Sequence, residues 1–152
     1  MIPSTVARVP QQTAEHVNER IRRQTEESVA RLAARGSAAI DRRLADLDRE
    51  WDIERTLEAN AATAVLVGSA LGALMDRRFF ALPAVVGGFL LQHAVQGWCP
   101  PLPLFRRAGV RTAAEIDYER YALKALRGDF ANAERANAGP ADTSRVVAAA
   151  RR

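Results

Sequence analysis

Cys99 is the single cysteine of the chain and stands directly before Pro100, with Gln92, His93 and Gln96 in the two turns ahead of it. Spacings of i, i+4 and i+7 put Gln92, Gln96 and Cys99 on one helical face, with His93 beside them. A thiol, an imidazole and two amides could serve thiol chemistry or form a polar site in apolar surroundings. A thiol reacts as the thiolate, which an electropositive neighbourhood favours. Arg106 and Arg107 are near in sequence, but Cys99 falls at the C-terminal end of its helix, where the dipole disfavours an anion. That opposition favours a structural cysteine. One cysteine allows no intrachain disulfide and no multi-cysteine zinc site. The chain shows no Ser-His-Asp constellation, phosphate loop or paired carboxylates in its apolar part. Catalytic, cofactor-binding and metal-ligating residues are therefore expected to be none, and the protein is read as a non-enzyme.

The elements that would position these groups are unusual. Of the 152 residues, those at 59–105 carry only three charges, the adjacent Asp76, Arg77 and Arg78. Three adjacent charges must lie at a membrane edge, since each costs about 2.5–3.5 kcal/mol at mid-bilayer on insertion scales. The zone is thus two segments. The first, 59–75, would span about 26 Å at 1.5 Å per residue, slightly short of a ~30 Å hydrocarbon core. The second is predicted as a helix over Pro83–Trp98, with proline in its first turn. The prolines at 100, 101 and 103 end it. Phe79, Phe80 and Trp98 fall near its ends, where aromatics favour the interface. A short connection makes the two helices antiparallel neighbours. Gly68 and Gly72, extended backwards by Ala64, leave a small-residue face that lets a second backbone approach. Ala84 and Gly88 offer a matching face. Gln92, His93 and Gln96 would then be polar groups satisfied across helices or by headgroup water.

Residues 1–11 read as a disordered lead without the apolar core of a signal peptide. From 12 to 58 apolar residues recur at helical steps: Val17, Ile21, Val29 and Leu32, then Ile40, Leu44, Leu47 and Trp51. Gly36-Ser37 marks a kink, or a turn with Ser37 capping a second helix. The stripe is narrow and its flanks are charged, with pairs such as Arg42 and Asp46 at i, i+4. Such a stripe needs a partner, most simply a second copy of the chain, so a coiled-coil-like, self-associating stalk is expected; the rival is a helix lying on the membrane surface, a mode that favours a strongly cationic face where this one is balanced. After Arg106-Arg107, Thr112 and Glu115 form a T-x-x-E capping box for a helix within 106–130 that stops at Gly128. Residues 131–152 read as a disordered tail.

The formal net charge is +4 and the pI near 10.2. Yet residues 1–58 hold 10 Arg against 11 Asp and Glu, so no basic stripe forms and nucleic acid is not an expected partner. Arg42, Arg43, Arg49 and Arg55 precede the first apolar segment. Arg106, Arg107, Arg111 and Arg120 follow the second, against Arg77 and Arg78 between them. The Lys/Arg bias predicts both termini in the cytoplasm.

From about Trp51 to Thr112 the chain resembles the YgaP-like transmembrane domain family of bacterial inner-membrane proteins. Glu54-Arg55 ahead of the first apolar segment, the glycine-containing helices, Gly97-Trp98-Cys99-Pro100, Leu104 and Gly109-Val110-Arg111-Thr112 carry the resemblance. It implies a two-helix membrane hairpin. Some members attach a rhodanese sulfurtransferase domain, but residues 1–58 form one helical pattern and no such domain fits here. The fold expected is all-α: a two-pass transmembrane hairpin (59–105) with a long N-terminal and a short C-terminal amphipathic helix. The function expected is a membrane anchor or scaffold, without cofactors. Its partners would be the bilayer, a second copy and an unknown protein. The competing reading is thiol-dependent sulfur or redox handling at the membrane through Cys99, alone or with a sulfurtransferase partner.

Overall fold

The computed structural model describes residue 4 and residues 6–130. The expectation for 131–152 lies outside the described residues. These are helical, with no strand among them. In order they form α1 (Arg8–Gln11), α2 (Glu15–Arg35), α3 (Ser37–Leu47) and α4 (Ile53–Leu74). A 3-10 turn (Arg77–Phe80), α5 (Ala81–Gln96), α6 (Leu102–Arg107) and α7 (Ala113–Arg127) follow. The chain divides into two compact units, Met1–Arg23 with Trp51–Glu115, and Gln24–Glu50 with Ile116–Arg152.

Each boundary has a local cause. Gly36 adopts φ +83, a left-handed conformation that glycine enters freely, and α2 stops there. Gly36, not Ser37, occupies the cap position of α3. A second break at residues 48–52 separates α3 from α4, so 12–58 is not one helix. Asp52 caps α4 by accepting from the Arg55 amide at 2.8 Å. The first apolar helix therefore starts at Ile53, six residues before its uncharged run. The capping box of α7 is closed in both directions. The Thr112 amide donates to Glu115 Oε2 at 2.7 Å, and the Glu115 amide donates to Thr112 Oγ1 at 3.2 Å. Gly128, at φ +87, follows its last turn.

In the first unit α4 and α5 pack side by side, joined by the turn that Asp76 caps through the Arg78 amide. Their contact lies at Gly68 and Gly72, both buried. A Cβ added to Gly68 would stand 2.7 Å from Pro83 Cδ, and one added to Gly72 would stand 2.9 Å from the Phe80 ring. The close approach is thus made by Phe80, Leu82 and Pro83, not by Ala84 and Gly88. Ala84 is exposed and a Cβ on Gly88 would meet nothing. At the base of the hairpin Val9, Ile53, Leu57, Cys99 and Leu102 form a buried apolar cluster. Two expectations change here. The lead is not disordered throughout, because α1 is a formed turn whose Val9 belongs to that cluster. Gly97, in the left-handed conformation, ends α5 at Gln96 rather than the prolines ending it after Trp98, and Pro101 and Pro103 instead start α6, since proline suits a first helical turn.

In the second unit the stripe of α3 finds its partner within the chain. Ile40, Leu44 and Leu47 cluster with Ile116 and Leu123 of α7, and Val29 and Leu32 pack against them. No second copy is needed to cover that stripe. Glu119, fully buried, accepts from Arg43 Nη2 at 2.8 Å, from Arg43 Nε at 2.9 Å and from Ser28 Oγ at 3.0 Å. The Asp129 carboxylate, with that of Asp41, holds Arg127 well above its ordinary range.

Candidate functional site

Three polar residues of the first unit, Arg8, Glu54 and His93, meet at the base of the hairpin. Glu54 lies in the first turn of α4, and His93 in the last turn of α5. Antiparallel packing brings them together. His93 donates from Nε2 to Glu54 Oε2 at 2.9 Å, since a carboxylate only accepts. Its ring is buried, and Nδ1 has no hydrogen-bond partner. The other oxygen, Oε1, accepts from Arg8 Nη2 at 2.8 Å, while Arg8 Nη1 donates to the Ala94 carbonyl at 2.8 Å. One guanidinium thus ties the N-terminal segment to both apolar helices. Gly97 makes this possible. At φ +79 it closes α5, and an added Cβ would lie 2.5 Å from the Arg8 carbonyl oxygen.

Cys99 sits beside this clamp at 5% exposure. Burial pushes its thiol up. The Leu102 amide opposes that shift and the Glu54 carboxylate adds to it. The thiol thus lacks the electropositive setting that makes cysteines reactive. Among the described residues no group of three His, Cys, Asp or Glu is placed to hold a metal ion. Of the predicted polar face, His93 turns inward, Gln92 is half-buried and Gln96 is exposed. Cys99 and Pro100 instead line an apolar groove between α4 and α5, of about 380 Å³. Leu57, Asn60, Ala61 and Ala64 form one wall, and Val85 and Phe89 lie on the other.

The four arginines expected to fix orientation are placed differently from one another. Arg77, Arg78 and Arg107 are exposed. Arg106 is fully buried and every one of its nitrogens is engaged. Nη1 donates to Glu115 Oε2 at 2.7 Å and to the Val110 carbonyl at 3.0 Å. Nη2 reaches Glu115 Oε1 and Asn18 Oδ1, both at 2.8 Å, and Nε reaches Thr13 Oγ1 at 3.2 Å. Burial raises the Glu115 carboxyl, but the Arg106 and Thr112 bonds outweigh it and hold the group below its ordinary range.

Sequence reasoning missed Arg8 and the inward turn of His93. An antiparallel hairpin with a charge at the start of one helix and a histidine near the end of the other was the available signal. Nothing in 1–11 pointed to Arg8. No family model, curated protein or solved structure matches the chain. Two helices, Ile53–Leu74 and the Arg77–Gln96 stretch, are long and apolar enough to cross a membrane.

Proposed function

We propose that the protein is a two-pass integral protein of the bacterial inner membrane, a non-enzymatic anchor or scaffold with both termini in the cytoplasm. The observation that carries the reading is the bareness of the two apolar helices. Only 17% of the most apolar stretch of α4 is buried, and 6% of that of the Arg77–Gln96 segment. The core helices of a water-soluble protein would be covered. Bare helices of this composition need lipid around them. The distribution of arginines supports cytoplasmic termini. Lipid is the partner this reading requires. Self-association through the α3 stripe is not part of it, because Ile116 and Leu123 cover that stripe. A thiol-based activity draws no support from a cysteine as buried as Cys99. Membrane fractionation with an alkaline carbonate wash tests the proposal. The full-length protein should stay in the pellet, and its release into the wash would overturn the reading.

A further inference from the structure

We propose that the N-terminal segment from Val6 to Gln12 is a strap that opens by itself, while the rest of the first unit stays folded, and so governs access to Cys99. The segment carries one turn of helix, α1, too short to hold itself in water. Its two ends are fastened differently. Downstream, Asn18 of α2 donates to the Pro10 carbonyl at 2.9 Å, and Thr13 donates to the Val9 carbonyl at 2.8 Å. Thr13 in turn accepts from the buried Arg106, so this end is a fixed hinge. Upstream, Arg8 grips the hairpin through Glu54 and the Ala94 carbonyl, and Val9 supplies an apolar foothold.

The strap covers the thiol. The Arg8 carbonyl lies against Gly97, two residues before Cys99, and Val9 shares its buried cluster with Cys99, Ile53 and Leu102. Yet the closed strap leaves polar atoms unsatisfied. Among the described residues three buried side-chain nitrogens lack a hydrogen-bond partner, and two of them, Arg8 Nε and His93 Nδ1, belong to this one clamp. A buried polar atom without a partner weakens the closed state, and water satisfies both atoms on opening. The strap also borders a cavity of about 170 Å³, shared with Glu54, Thr112 and Ala113, so part of its face makes no packing contact. A short segment with sparse packing and unsatisfied polar atoms lies at the low-stability end of a fold and opens ahead of it. Its release bares the Cys99 thiol, the His93 ring and the Glu54 carboxylate together.

Cys99 is the only cysteine of the chain and so reports the opening. Full-length protein in mild detergent is alkylated with iodoacetamide at increasing urea, while circular dichroism follows global unfolding. Local opening exposes little surface, so the rate should stay nearly flat at low urea and climb steeply only where the whole unit unfolds. Arg8→Gln removes the grip on Glu54 and Ala94 and should raise the flat limb by about tenfold. Gly68→Ala, which collides with Pro83 where α4 and α5 touch, should move the steep limb to lower urea and leave the flat limb in place. Should Arg8→Gln fail to fold, Val9→Ala withdraws the apolar foothold and should raise the flat limb likewise. A rate that climbs from zero urea with the full slope of unfolding would overturn the strap, because Cys99 would then be freed only with the whole unit. A flat limb that neither strap variant raises would equally overturn it, since the opening would lie elsewhere. The measurement needs no bilayer, so its failure and that of the membrane reading are separate.

Discussion

Replacing Arg106 with Met isolates the largest electrostatic element of the first unit. The guanidinium is fully buried and bonds Glu115 with both terminal nitrogens, at 2.7 and 2.8 Å. Removing one member of a buried pair typically costs about 3–5 kcal/mol, because the other is left uncompensated. Glu115 keeps the Thr112 amide at 2.7 Å and its side chain is 25% exposed, so water compensates it in part. The expected loss is therefore at the lower end, about 3 kcal/mol, or about a hundredfold in the folding equilibrium. Urea titration of the full-length protein in mild detergent reads it through Trp98, which packs on the neighbouring apolar cluster. Adding Glu115→Gln should recover part of the loss, since it removes the stranded charge. The acid limb gives a second reading. Glu115 titrates below its ordinary value in the fold. Its contribution is therefore complete above that value and is lost as pH falls through the lowered one. In Arg106→Met this acid-side loss should shrink. A cost of about 1 kcal/mol or less, typical of an exposed pair, would refute the buried-network reasoning.

Three further outcomes are expected. Gly97→Ala would place a side chain at φ +79, costing about 1–2 kcal/mol, and would also collide with the Arg8 carbonyl. Limited trypsin digestion should then cut after Arg8 faster, and unchanged protection would mean that the segment is held elsewhere. Leu44→Glu with Leu47→Glu should unfold the second unit, because both positions are buried and a buried unpaired carboxylate costs several kcal/mol. Loss of helical circular dichroism with the membrane pellet unchanged is the expected result. Cys99 should react slowly with iodoacetamide at neutral pH and faster as pH rises past the ordinary thiol range, since burial favours the protonated form. Alkylation at the rate of the urea-unfolded chain would contradict that placement.

Local signals in the sequence were legible because local physics produces them. Thr112 and Glu115 satisfy each other's amides, Gly36 breaks a helix by its own conformation, and Gly68 and Gly72 admit a neighbour. Long-range partners were not legible. The stripe at Ile40, Leu44 and Leu47 states that something covers it, but a periodicity carries no information on whether the cover is α7 or another chain. The same holds for charge. Arg106 reads as one more cation after an apolar segment, yet Glu115, Asn18 and Thr13 enclose it. Patterns fix what a residue needs, and tertiary structure decides who supplies it. Of the candidate site, Cys99 and His93 were visible by type. Arg8 was hidden in a segment with no apolar rhythm, so its bridge to Glu54 and Ala94 could emerge only from the packed fold.

Charged side chains along α4 also set where a bilayer could lie. Glu58 and Asp76 are exposed, and the 18 residues from one to the other span about 27 Å, just under a ~30 Å hydrocarbon core. Glu54 is one turn below Glu58, which places the Glu54–His93–Arg8 clamp among headgroups. There, water reaches a Glu54 side chain that is 32% exposed and an Arg8 side chain that is 20% exposed. Trp51, stacked under Arg55 at 4.3 Å, falls at the same level, where an aromatic ring with a cation suits the interface. Val67, midway between the two carboxylates, is 50% exposed among the described residues, and lipid around the helix would shield it from a reagent. Single cysteines at Glu58, Val67 and Asp76 in a Cys99→Ser background separate these levels. A membrane-impermeant maleimide should label Asp76→Cys in intact cells, Glu58→Cys only after permeabilisation, and Val67→Cys in neither state. Labelling of Glu58→Cys in intact cells would reverse the orientation. Val67→Cys reacting as fast as Asp76→Cys would remove the bilayer from this helix, because the described residues leave half of that side chain uncovered.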